Sequence, residues 1–291
     1  MDKDSILHVT FIIAIVVLAF SLGILYEHTN TVRQEAVSED LILLSKFAEL
    51  NLEKALQETT EEMAISPGAI KIPILTYHSV RPHYDNESPI VEYYDVTPNL
   101  LDRNLSWLEE NGYKVISFAE MVNGIEDKGK LPPKPVVLTF DDGWENQYTY
   151  GLPVLKKHGA TATFFIFTNA IGQRHFLSLK EIKELDKFGM TIGAHTKSHP
   201  YLFRIKDKSV LRDEIIGGKE ILEKNLGKPV NYFAYPFGYY NDTIVSIVKE
   251  AGFKAARSSK KGTHHTPASI FVLRNIEISD DFDTFVKELT K

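Results

Sequence analysis

Five short apolar runs constrain this chain most, because none of them alternates with polar residues: IPILTY (72–77), VVLTF (136–140), TATFFIF (161–167), MTIGA (190–194) and NYFAY (231–235). A strand with one face in water alternates apolar and polar side chains, so runs like these are predicted to be strands buried on both faces. Stretches of helical periodicity separate them, around 99–111, 145–158, 178–188, 208–226 and 240–251. Buried strands alternating with amphipathic helices predict an α/β fold with a parallel sheet, either doubly wound or closed into a barrel. No internal repeat of roughly 20–50 residues is present, which argues against a solenoid.

Polar residues collect where these runs end. LTYH finishes at His78, VVLTFDDG runs into Asp141 and Asp142, MTIGAHTKSH carries His195 and His199, and NYFAYPFG closes on Pro236 and Phe237. In a parallel barrel the carboxyl ends of all strands share one rim, so four distant segments are predicted to converge on one pocket.

The chain has no cysteine, so any metal must be held by His, Asp or Glu. Two imidazoles four residues apart, His195 and His199, face the same way if that stretch is a helical turn. A carboxylate from another strand then completes a His₂–carboxylate set suited to zinc and other divalent ions. Taken alone, the His pair also suits a solvated turn before Pro200, and Asp141-Asp142-Gly143 also suits a turn or a helix cap. Adjacency favours chemistry: neighbouring residues leaving a strand point in different directions, so one carboxylate can bind metal while the other accepts a proton.

The N-terminal part reads differently. Residues 9–26, VTFIIAIVVLAFSLGILY, carry no charge, close to the ~20 apolar residues that span a bilayer. The preceding Asp2, Lys3 and Asp4 are not a basic flank and no A-x-A site follows, so an uncleaved anchor is preferred over a cleaved signal peptide. The segment from 34 to 66 is acidic, with Val37, Leu41, Leu44, Phe47 and Ala48 at helical spacing. It reads as a stalk or a dimer seam. Ser66-Pro67-Gly68 then marks a boundary, giving an anchor (1–30), a stalk or linker (31–68) and a main domain (69–291). A net charge of −6 without a Lys/Arg cluster excludes a nucleic-acid partner.

Thr139-Phe140-Asp141-Asp142-Gly143 followed by His195-Thr196-Lys197-Ser198-His199 resembles the first two motifs of the polysaccharide deacetylase family, the NodB-homology domain of carbohydrate esterase family four. Order and spacing agree, over about residues 70–291. The resemblance implies a distorted (β/α) barrel of about seven strands here, preceded by the transmembrane helix and stalk. It also implies a divalent metal cofactor, zinc first, with Asp142, His195 and His199 as ligands, Asp141 as general base, and the backbone N–H of Phe237 as oxyanion donor. The family's third motif usually reads Arg-x-Pro-Tyr, and this chain reads Ala234-Tyr235-Pro236-Phe237. Members resembling the poly-β-1,6-N-acetylglucosamine deacetylases of biofilm synthesis also lack that arginine; Arg274 is a candidate to replace it. In that branch the acid histidine resembles a permuted one on the first strand, which points to His78 over His264 or His265. Trp144, Tyr148, Tyr235, Tyr239 and Tyr240 are candidates to stack on sugar rings or, equally, to pack the barrel.

The function expected is removal of N-acetyl groups from N-acetylglucosamine units of an extracytoplasmic polysaccharide, poly-β-1,6-N-acetylglucosamine first. A β-1,4 polymer such as peptidoglycan or chitin, and a non-catalytic glycan-binding relative, are the alternatives. The expected partners are that polysaccharide and the membrane. The expected location is the cell membrane with the domain outside, or secretion if the leader is cleaved.

Overall fold

The computed structural model describes residues 68–83 and 95–290. The expected membrane span at 9–26 and the stalk pattern at 37–48 lie outside the described residues. Among the described residues no helix is long and apolar enough to cross a membrane. The compact unit containing them runs from Ile65 to Lys291.

Seven parallel strands close into a ring: β1 (Ile74–Tyr77), β2 (Pro135–Phe140), β3 (Thr163–Ile166), β4 (Thr191–Ala194), β5 (Tyr232–Ala234), β6 (Ala255–Lys261) and β7 (Leu273–Glu277). Each pairs with its successor, and β1 closes the ring by bonding both β2, at Leu75↔Leu138, and β7, at Ile276↔Leu75. The short strand Lys114–Val115 adds to the start of β2 outside the ring. The expected barrel of about seven strands is therefore present. Sequence periodicity anticipated β1 to β5 but not β6 or β7.

Helices coat the outside: α1 (Pro98–Glu110), α2 (Phe118–Ile125), α3 (Leu152–Lys157), α4 (Leu179–Lys187), α5 (Lys208–Arg212), α6 (Gly218–Leu226), α7 (Asp242–Glu250) and α8 (Phe282–Thr290). Thr97 caps α1, while Ser117 with Glu120 and Ser178 with Glu181 form capping boxes on α2 and α4, satisfying amides that each first turn leaves unpaired. The helix predicted over 208–226 is interrupted: a π turn at Asp213–Gly217 joins α5 to α6.

Strand side chains alternate between two faces, and each face meets different surroundings. Leu75, Tyr77, Leu138, Phe140, Phe164, Ile166, Phe233 and Tyr235 pack outward in the larger core, where Tyr77, Phe140 and Phe164 stack across three strands at 5.2 and 4.9 Å. Ile74, Val137, Phe165, Tyr232, Ala255 and Leu273 point inward and form a second cluster with Phe118 and Met121 of α2, which closes the barrel's amino-terminal mouth. Two residues further along β1, β2 and β7 the interior turns polar. Thr76 Oγ1 lies 2.9 Å from Thr139 Oγ1 and accepts from Asn275 Nδ2 at 2.8 Å. One more step of two reaches His78, Asp141 and Glu277, and they are joined at the rim by Arg257, two residues after Ala255, and His195, two after Gly193. The interior is thus graded from an apolar floor through a hydroxyl layer to a charged rim.

Gly193 makes room inside this ring. A Cβ there would sit 2.4 Å from Phe165 Cδ1. Gly193→Ala is expected to destabilise the domain by about 1–3 kcal/mol through overpacking. Urea melts showing an unchanged midpoint would contradict this account of the floor.

Candidate active site

Asp141 is the inward residue that follows Thr139 at the end of β2. Its carboxylate is buried and paired with the guanidinium of Arg257, which projects from β6 and has no exposed surface. Burial works to raise the Asp141 pKa, but the Arg257 charge, followed by those of His195 and His78, holds it below the ordinary range. Arg257 takes Oδ2, while Oδ1 is buried with no hydrogen-bond partner. The carboxylate is ionised, held, and has one oxygen left to accept a proton. Gln147 ties the neighbouring strand ends together by donating to the carbonyls of Asp141 and, at 2.6 Å, His78.

Asp142 turns the other way. Its φ of 72° is left-handed, a conformation that costs a non-glycine residue about 1–3 kcal/mol, and Trp144 Nε1 donates to its Oδ2 at 3.1 Å. Its Oδ1 lies 3.6 Å from His195 Nε2 and 3.3 Å from His199 Nε2, and the two imidazole nitrogens are 3.1 Å apart. His195 Nδ1 donates to the carbonyl of Ala234 at 2.7 Å, which leaves a bare lone pair on Nε2. Burial lowers the pKa of His195 to about 4 and takes His199 below its usual value, so both rings are neutral at neutral pH. Three donors of a His₂–carboxylate set lie within 4.8 Å of one another. This group fits a divalent cation, since facing lone pairs repel unless an electrophile lies between them.

The two histidines do not sit on the predicted helical turn. Thr196 and His199 have φ of 69° and 59°, so the chain coils back on itself between them. The π turn holds this loop: Glu214 accepts from the amides of Lys197 and Ser198 at 3.0 and 2.9 Å and from Ser198 Oγ at 2.6 Å. Gly218, at the start of α6, passes so close that a Cβ would meet Thr196 C at 2.8 Å.

His78 leaves β1 on the same rim, with Nδ1 3.7 Å from Glu277 Oε2 of β7. Phe237 is at the rim after β5, in a left-handed turn with φ 57°, its ring 4.6 Å from that of His199. The structure thus brings Asp141, Asp142, His195, His199, His78 and Phe237 together. Other expectations are corrected. Arg274 does not serve Asp141: its guanidinium donates to the Lys261 carbonyl, and Arg257, one strand earlier, takes the role. Tyr235 is not available to a sugar, because it faces the outer core and its hydroxyl donates to the Phe271 carbonyl at 3.0 Å. Trp144 stacks on Phe176 at 4.5 Å while orienting Asp142, and Tyr148 is bound to Glu184. Tyr240 packs on Tyr235, and Tyr239 lies beside Phe203. His264 and His265 pair with Ile70–Lys71, ahead of β1 and therefore at the opposite mouth, where His265 Nε2 bonds the Ile72 carbonyl.

A parallel barrel whose rim carries a His₂–Asp metal set beside a separately held carboxylate defines a metal-dependent hydrolase of the amide or ester class. Comparison with known proteins makes this specific. The sequence profile of the family described as polysaccharide deacetylase matches residues 128–256. The deacetylase PplD of Streptococcus pyogenes, solved with acetate, is 30% identical with a TM-score of 0.71, over 76% of this chain and 99% of that one. A poly-β-1,6-N-acetyl-D-glucosamine N-deacetylase of Staphylococcus aureus is 28% identical across 73% of this chain and 81% of its own length. A solved polysaccharide deacetylase from Bacillus cereus is 27% identical, with a TM-score of 0.66 over 76% of this chain and 69% of its own. The chain belongs to the polysaccharide deacetylase family, and it is a metal-dependent polysaccharide N-deacetylase.

Two consequences are measurable. Arg257→Met leaves Asp141 buried without its countercharge and is expected to lower stability by about 3–5 kcal/mol in urea unfolding; a loss below about 1 kcal/mol would show that the pair is dispensable. Glu214→Ala removes no ligand yet frees the ligand loop, and chelator competition is expected to show metal affinity about 10–100-fold weaker. An unchanged affinity would mean the π turn does not hold the site.

Proposed function

We propose that this enzyme removes N-acetyl groups from N-acetylglucosamine units of an extracytoplasmic polysaccharide, with poly-β-1,6-N-acetylglucosamine the leading substrate. The observation that carries the reading is the division of labour between adjacent carboxylates: Asp142 with the two histidines, Asp141 with Arg257. The β-1,6 preference is supported by the likeness to the Staphylococcus aureus enzyme and by the missing third-motif arginine.

Asp142, His195 and His199 would hold the divalent ion, zinc first. Such an ion supplies Lewis acidity toward the amide carbonyl and a lowered pKa for the attacking water. Asp141 accepts that water's proton on Oδ1, while Arg257 keeps the carboxylate ionised and fixed through Oδ2. The backbone N–H of Phe237 donates to the oxyanion that forms as the carbonyl is attacked. His78, with Glu277 beside it, delivers a proton to the departing amine. The carbon–nitrogen bond then breaks, leaving acetate and a free amino sugar. The proposed location is outside the cytoplasm, with residues 9–26 as membrane anchor; protease added to intact cells is then expected to digest the domain.

The test is acetate and free-amine release from β-1,6 and β-1,4 N-acetylglucosamine oligomers. Metal-loaded enzyme is expected to prefer the β-1,6 series, Asp141→Asn to lose about 10²–10⁴-fold in rate, and His78→Ala to lose rate while keeping its metal. Faster turnover of β-1,4 oligomers would move the assignment to a peptidoglycan or chitin-type substrate. Bound metal with no turnover of either series would sink the enzymatic reading.

A further inference from the structure

The loops after β4 and β5 are joined at the rim by a stack of side chains. The ring of Tyr201 lies on that of Phe237, centroids 3.9 Å apart and planes within 9°. Phe237 meets the His199 ring at 4.6 Å and 62°. The Arg204 guanidinium lies over Tyr201 at 4.6 Å. Tyr201 and Phe237 are 38% and 41% exposed, so hydrophobic burial alone does not hold them.

The backbone beneath Phe237 needs holding. Phe237 and Gly238 both have left-handed φ, 57° and 74°, and Gly238 is pressed against β6 so closely that a Cβ would lie 2.4 Å from the Ser259 backbone nitrogen. The turn is pinned on the β6 side, and the Tyr201 ring covers Phe237 from the other loop. Only Pro200, whose φ is fixed by its ring, separates Tyr201 from His199. The stack therefore sets the Phe237 turn against the loop that carries His199.

We propose that Tyr201 is a positioning residue: its ring clamps Phe237 in the left-handed turn and so fixes the Phe237 peptide relative to His199. The proposal rests on the deacetylase reading, in which that peptide faces the oxyanion. A sugar-stacking platform competes with the contacts the Tyr201 ring already makes, the Phe237 ring stacked on it and the Arg204 guanidinium over it, and an oligomer-length series separates the two.

The experiment compares full-length, metal-loaded wild type with Tyr201→Ala and Tyr201→Phe. It measures steady-state kinetics on N-acetylglucosamine oligomers of increasing length, metal content, and amide exchange at Gly238, whose N–H bonds the Tyr235 carbonyl at 2.8 Å. Tyr201→Ala is expected to lower kcat about 10–100-fold with KM within about twofold and metal content unchanged. Its Gly238 amide is expected to exchange at least about tenfold faster, and Tyr201→Phe to restore both rate and protection. A KM that rises with oligomer length at constant kcat would overturn the clamp in favour of a sugar subsite, and unchanged Gly238 exchange would overturn it outright. If the wild type deacetylates nothing, the deacetylase reading fails on its own, and the exchange measurement alone decides the clamp.

Discussion

A carboxylate sealed inside a protein must either take up a proton or find a positive charge, and Asp141 has Arg257. The two lie 116 positions apart in the chain and meet only because β2 and β6 face one another across a closed ring. The pair anchors the charged rim above a floor whose inward members are hydrocarbon apart from the Tyr232 hydroxyl, with the threonine hydroxyls between. A water molecule approaching Asp141 therefore meets one committed oxygen and one waiting oxygen. The same alternation that buries Val137 and Thr139 aims Asp141, so the chemistry inherits its direction from the pleat.

Around that centre the backbone is bent into conformations it would not choose. Asp142, Thr196, His199 and Phe237 are all left-handed non-glycine residues, and all lie on the same rim. Each is restrained by something outside the reacting groups: the Trp144 indole, the Glu214 carboxylate, the close passage of Gly218, and the approach of Gly238 to β6. Strain of this kind persists only where surrounding structure overdetermines it. The ligands are presented ready-made instead of being gathered from floppy loops.

How much of this was legible follows from burial. β1 to β5 stood out because both faces are dry, and their carboxyl ends named Asp141, Asp142, His195, His199 and His78 correctly as neighbours. β6 and β7 were hidden because their charged rim residues lie within the strands: AARSSKK and LRNIE contain Arg257, Asn275 and Glu277, whereas His78, Asp141 and His195 come just after the apolar runs of β1, β2 and β4. The signal available for Arg257 was an arginine directly after two small apolar residues, Ala255 and Ala256, following a helix, whereas Arg274, in VLRNIEI, offers the same charge from the neighbouring strand. Glu214 gave no local sign, since a π turn inside an amphipathic helix leaves the apolar period nearly intact. Tyr235 was misread because a strand end shows which residues are there, not which face they take.

Closure of the ring also orders events in time. Asn275 reaches Thr76 across 199 residues of chain, and β7 is the strand that joins the last part of the sequence to the first. Contacts so distant form slowly, after nearer ones have reduced the entropy of the search. During synthesis β1 to β5 are available long before Arg257 and Glu277 exist, so the emerging chain holds the ligand histidines but has no partner for Asp141. Catalytic competence arrives with the final strands, and a chain cut short before β6 carries the recognisable motifs without the means to use them.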